Sequence, residues 1–146
     1  MSKTHKPAFA QDPQTFGAVL TAAGNPNGSD AVELYTAGTE GCLVTRISAA
    51  PVGTITASGV IIFVQKNGSA VKVPRFSVVA PTWDYAVAGN KTAKLPVAFV
   101  TEISEQQPLR LGRGDKLFAT SMVANLAAGI AVAGEVSEFK DVGEAV

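Results

Sequence analysis

A chain of 146 residues with 47% hydrophobic content has the material for one core, which argues against two domains. Its 12 Lys+Arg balance 12 Asp+Glu, so no basic excess exists to neutralise a phosphate backbone or hold an anionic membrane, and neither nucleic acid nor membrane is expected as a partner. Charged residues make up 16% of the chain, against roughly 25% in ordinary soluble domains, and a surface so poor in charge is expected to be covered in part by neighbours.

The first stretch, 1–14, is polar, carries Lys3 and Lys6 and is broken by Pro7 and Pro13. Without an apolar run behind the lysines it does not read as a signal peptide, and it is expected to be an N-terminal arm. Thr4, His5, Lys6, Pro7 and Phe9 within it are candidate contacts with a neighbouring subunit, ordered on assembly. Behind the arm, glycine and proline cut the chain into pieces of strand length, rich in Val, Ile, Thr, Phe and Tyr. The predicted strands are 16–22, 31–37, 42–49, 59–66, 70–79, 95–103, 116–124 and 129–139. Eight pieces at this spacing predict an all-β domain over 15–140, a two-sheet antiparallel sandwich of jelly-roll type, followed by an acidic tail, 141–146.

Alternation assigns faces to several of these strands. In 31–37, Val32 and Leu34 share one face, with Glu33 and Tyr35 on the other. In 42–49, Leu43 and Ile47 are expected to point inward, and Val44 and Arg46 outward. The run Val60-Ile61-Ile62-Phe63-Val64 is apolar on both faces, so this strand is either central or covered outside by another subunit, which makes Ile61 and Phe63 interface candidates. Asn67-Gly68 is the best hairpin signal. The longest apolar stretch, 124–133, is about half the ~20 residues that a membrane span needs, and in the Ala-rich 122–133 Gly129 and the Val-rich continuation favour a loop between two strands over a helix.

Few residues offer catalytic chemistry. One Cys and one His, Cys42 and His5, exclude a disulfide framework or a Cys/His zinc site within one chain. A nucleophile activated by His5 would depend on a residue of the arm. Cys42, at the start of an apolar run, reads as a half-buried structural thiol, with an intermolecular disulfide as the alternative. Arg113-Gly114-Asp115 spells an integrin-attachment tripeptide but reads as a turn entering a strand. Gly112-Arg113-Gly114 lacks the spacing of a phosphate loop. The carboxylate pairs Glu102 with Glu105 and Glu135 with Glu138 lie three apart, which on a strand sends the two side chains to opposite faces. Trp83, Asp84 and Tyr85 are a candidate sugar platform, or else a loop anchor or subunit contact. No catalytic residue, cofactor or metal is therefore expected, and binding or assembly is the default function.

The segment Leu34-Tyr35-Thr36-Ala37-Gly38-Thr39-Glu40-Gly41-Cys42-Leu43-Val44-Thr45-Arg46-Ile47, continued by Gly53-Thr54-Ile55-Thr56-Ala57-Ser58-Gly59-Val60-Ile61-Ile62-Phe63-Val64, resembles small virion proteins of tailed bacteriophages. The closing segments, Leu109-Arg110-Leu111 with Gly114 to Ser121 and Ile130 to Phe139, are similar to the last strands of such proteins. What the resemblance implies is a non-enzymatic structural protein of the virion, made in the host cytoplasm, that decorates and cements the head surface. Its partners would be the major capsid protein or neighbouring virion subunits, and a homo-oligomer is expected, with a trimer as the first choice. A neck collar, fibre or tail-associated piece, or a host-surface carbohydrate-binding adhesin, are the alternatives.

Overall fold

The structure, a computed structural model, describes residues 8–84, 86, 87, 89, 94–122 and 129–141. Nine strands follow one another: β1 (Ala8–Leu20), β2 (Val32–Thr36), β3 (Cys42–Pro51), β4 (Ser58–Gln65), β5 (Lys72–Ala80), β6 (Ala98–Phe99), β7 (Leu109–Leu111), β8 (Lys116–Ser121) and β9 (Ile130–Asp141). One sheet runs β1-β9-β3-β6, with β7 also on β3; the other runs β2-β8-β4-β5, and all pairings between named strands are antiparallel. The chain thus crosses from sheet to sheet between β1 and β4, and the last strands return between the first ones. That interleaved order is a jelly roll, as the strand spacing predicted.

Between the sheets lies one apolar core. Val44, Ile47, Val60, Ile62, Leu117, Ile130, Val132 and Val136 are sealed from solvent, as expected where inward positions of facing sheets interdigitate. Gly134 lies in this row because nothing larger fits. A Cβ there would overlap the Arg46 carbonyl oxygen and the Phe16 ring.

Several local expectations change. Residues 8–14, read as arm, form the first half of β1, and β9 extends to Asp141 to pair with Ala8. The polarity that marked an arm in the sequence is that of a strand at the edge of its sheet. Residues 1–7 lie outside the described residues, as do 142–146 of the expected tail.

In β3 the expected faces are partly reversed: Val44 is buried and Leu43 only half-buried. The cause is a bulge. Val44 pairs with Val136 and Arg46 with Glu135, leaving Thr45 as an extra residue, so Cys42 and Val44 before it and Ile47 and Ala49 after it all face the core. A bulge at Leu34 acts similarly in β2, where Leu34 is buried, Tyr35 also packs on the core, and Val32 at the strand's start is exposed. The predicted strand 95–103 shrinks to β6, and a further short strand, β7, outside the eight predicted pieces, follows it. Both lie on β3, at Ser48–Ala49 and Cys42–Val44, with residues 100–108 looping away between them.

The two-faced apolar run is a central strand, one of the two readings foreseen: β4 lies between β8 and β5. Val60, Ile62 and Val64 face the core, while Phe63 pairs on the outer face with Phe118. That ring pair is closed by the chain itself. The loop between β1 and β2 lays Gly28 on the Phe63 ring, where a Cβ would stand 3.1 Å from the ring edge, and the Lys72 ammonium lies 4.7 Å from the centre of the Phe118 ring. Gly28 has φ +81°, a conformation only glycine adopts without strain.

Edge strands share one feature. β1 carries a bulge at Gln11 followed by Pro13, β2 a bulge at Leu34, and β5 Pro74 followed by a bulge at Arg75. The fourth edge is the one split into β6 and β7.

Candidate functional site

The candidate site lies on the outer face of the β1-β9-β3 sheet. At Thr45 the bulge turns both Thr45 and Arg46 toward the outer face, beside Glu135 of β9, and the cross-strand neighbour of Glu135 on β1 is Thr15. Opposite the bulge, the break between β6 and β7 lets residues 100–108 stand away from β3. That excursion is pinned rather than loose: Ser104 and Gln107 exchange backbone hydrogen bonds of 3.2 Å, and Val100 N–H donates to the Ile47 carbonyl at 2.9 Å.

Two adjoining hollows open between this wall and the strands, of about 420 and 730 Å³, sharing Thr45, Glu105 and Glu135. Phe99 stands at one end, half exposed, with the Arg46 guanidinium 5.5 Å from its ring centre. Arg46 also reaches Glu135 at 3.8 Å, a solvent-facing pair that positions the two groups more than it stabilises the fold. Gln14, Thr15 and Ser137 line the other end.

A polar knot closes one end of the sandwich. Asp115 accepts hydrogen bonds from the N–H groups of Gly112 and Asn67, both at 2.9 Å, and from the Lys66 ammonium at 3.2 Å. Burial pushes its pKa upward, but these donors outweigh that, and the carboxyl is held below its usual range. Close by, Glu138 accepts from the Tyr35 hydroxyl and, at 3.0 Å, from the Gly38 N–H. Burial, then the bond to Glu138, pushes the Tyr35 phenol upward. For Cys42, burial followed by the charges of Glu138 and Asp115 pushes the thiol up to about 12. These groups stitch loops and sheets together.

The residues singled out in the sequence scatter across the molecule. Thr4, His5, Lys6, Pro7 and Tyr85 lie outside the described residues, and Phe9 pairs through its backbone with Lys140. Cys42 is fully buried, more deeply than a half-buried thiol, and in the folded chain has no surface to offer another chain. Phe63, covered by Gly28, is likewise closed to a partner. Ile61 stays partly open on the same sheet face, between Ser77 and Thr120. Trp83 is a loop anchor, packed on the core and exchanging backbone hydrogen bonds of 2.8 and 3.1 Å with Ile55. In Arg113-Gly114-Asp115 the aspartate is buried, so the tripeptide is not displayed. Glu135 and Glu138 diverge as their spacing dictates, Glu138 inward and Glu135 outward. Glu105 and Glu135, one from each sequence pair, line the same groove.

Together these define a jelly-roll domain with an open polar groove on one sheet and a buried polar knot at one end. Among the described residues, no group of three or more His, Cys, Asp or Glu is placed to hold a metal ion, and no helix is long and apolar enough to cross a membrane. No protein-family model and no curated protein matches the chain. Among solved structures it is similar to the Eiger TNF from S. frugiperda, at 10% identity over 97% of this chain and 100% of that one, with a TM-score of 0.44.

Proposed function

We propose that this chain is a non-enzymatic structural protein of a phage virion that binds the head surface and stabilises its lattice, as a capsid decoration or cement protein. The observation that carries the reading is the half of the outer β2-β8-β4-β5 face that no other described residue covers. There Val79, 61% exposed, pairs with Gly59, Met122 bonds to Gly59 from the other side, and Ile61 lies in the next row. An apolar patch built of strands, on a domain with so few charges, is the kind of surface a neighbour covers. Weak contacts repeated over a lattice add through avidity, so no deep pocket or large charge is needed. A homotrimer seated on the major capsid protein is the arrangement we favour.

Purified protein added to expanded empty shells should bind them and raise their melting temperature. Val79→Asp, at an exposed position, should leave the domain folded and abolish shell binding. Shells whose melting temperature does not change on adding the wild type would refute the reading.

A further inference from the structure

Among the described residues, the other register shifts lie on edge strands, whereas Thr45 bulges from an interior strand, directly opposite the point where its neighbour is broken in two. An interior bulge sacrifices ladder pairing and re-aims side chains, and here it delivers Thr45 and Arg46 to the groove. We propose that this groove binds a saccharide chain of uncharged pyranose units.

A pyranose ring offers an apolar C–H face and a rim of hydroxyls that both donate and accept. Phe99 supplies a half-exposed aromatic ring for the first, with the Arg46 guanidinium 5.5 Å from its centre. For the second, the groove mixes donors and acceptors at short intervals: Thr45, Ser104, Gln106, Glu105 and Glu135. The two hollows adjoin end to end and together suit a ligand longer than one ring; each lies within the roughly 300–1,000 Å³ common for small-molecule sites. Charge narrows the class further. Arg46 is matched by Glu135, and Glu105 adds a second carboxylate, so phosphate, sialic acid or uronic acid would meet net repulsion. The inference is independent of what the opposite, apolar face binds.

The test uses the full chain on an array of neutral and acidic glycans, followed by NMR titration with maltotriose, chitotriose and 3′-sialyllactose. Neutral glycans should be retained, and the neutral trisaccharide that binds should shift the amides of Thr45, Phe99, Ser104 and Glu135. Sialyllactose should bind more weakly. Phe99→Ala and Glu105→Ala, both on the surface, should each weaken binding by about ten-fold or more, while Val79→Asp leaves it unchanged. Retention of no neutral glycan, shifts centred on Trp83 instead of the groove, or an unaltered affinity in Phe99→Ala would each overturn the proposal. So would binding of a lysine-rich peptide in place of any neutral glycan.

Discussion

The Glu138 carboxylate of β9 accepts the phenolic hydroxyl of Tyr35 from β2, joining the two sheets through a bond that neither ladder supplies. Its second oxygen takes the Gly38 N–H, so both are engaged. Tyr35→Phe should cost about 1.5–3 kcal/mol, the range for a hydrogen bond to a charged group, and Glu138→Ala more, since it strands two donors. Urea unfolding of the two variants and of the double mutant measures this. Losses that simply add in the double mutant would show that the two residues do not act as a pair.

Asp115 sets an acid limit on stability. Its carboxyl is held below the ordinary value of 3.8 in the folded chain, so its contribution is fully present above that pH and is lost as pH falls through the folded value. Asp115→Asn should be clearly less stable than the wild type at pH 7, by about 2 kcal/mol, with the gap closing below pH 3.8. Thermal melts across pH 2 to 7, on the order of one per pH unit, give the curve. A gap that persists to the acid end would mean the carboxylate's charge is not what matters.

At the alkaline end the sign is opposite. Cys42 is raised from 9.0 to about 12, so unfolding is favoured as pH rises beyond 9, when the thiol of the unfolded chain ionises first. The same burial makes the native thiol inert. Iodoacetamide at about pH 8 should label Cys42 only in denaturant, and non-reducing gels should show no covalent dimer. Rapid labelling of the folded protein would contradict a sealed core position.

Gly28 closes the outer face over Phe63 and Phe118. Gly28→Ala imposes a strained φ and crowds the Phe63 ring, and should cost about 1–3 kcal/mol. Phe63→Ala should cost about 3–5 kcal/mol, as for a core aromatic, although it points away from the main core. Chemical denaturation distinguishes this from a solvent-facing Phe63, whose loss would hardly register.

Glycine and proline punctuation made the sandwich legible, and Asn67-Gly68 does lie in the turn that joins β4 to β5, although the connection spans 66–71 rather than the two residues alone. Faces were legible only while the period of two held. Thr45 adds one residue to β3 and reverses the reading of Leu43 and Val44, and nothing in Leu-Val-Thr-Arg-Ile marks where the extra residue falls. Phe63 looked like a partner-facing residue because the loop that covers it lies more than thirty positions upstream. The groove was hidden for the same reason. Spacing of three ties Glu105 to Glu102 and Glu135 to Glu138, whereas strand pairing brings Glu135 beside Arg46, and the 100–108 excursion brings Glu105 to both.

The bulges and prolines on the outer strands carry a consequence for how copies meet. An intact border of free N–H and C=O groups is a template on which any extended chain can add. Here Gln11, Leu34 and Arg75 each throw the hydrogen-bonding rhythm out of step, Pro13 and Pro74 each lack a donor, and the last border is cut in two. Copies cannot zip side by side into an endless ribbon. In a chain with little charge to hold copies apart, such borders work against polymerisation through the sheet edges.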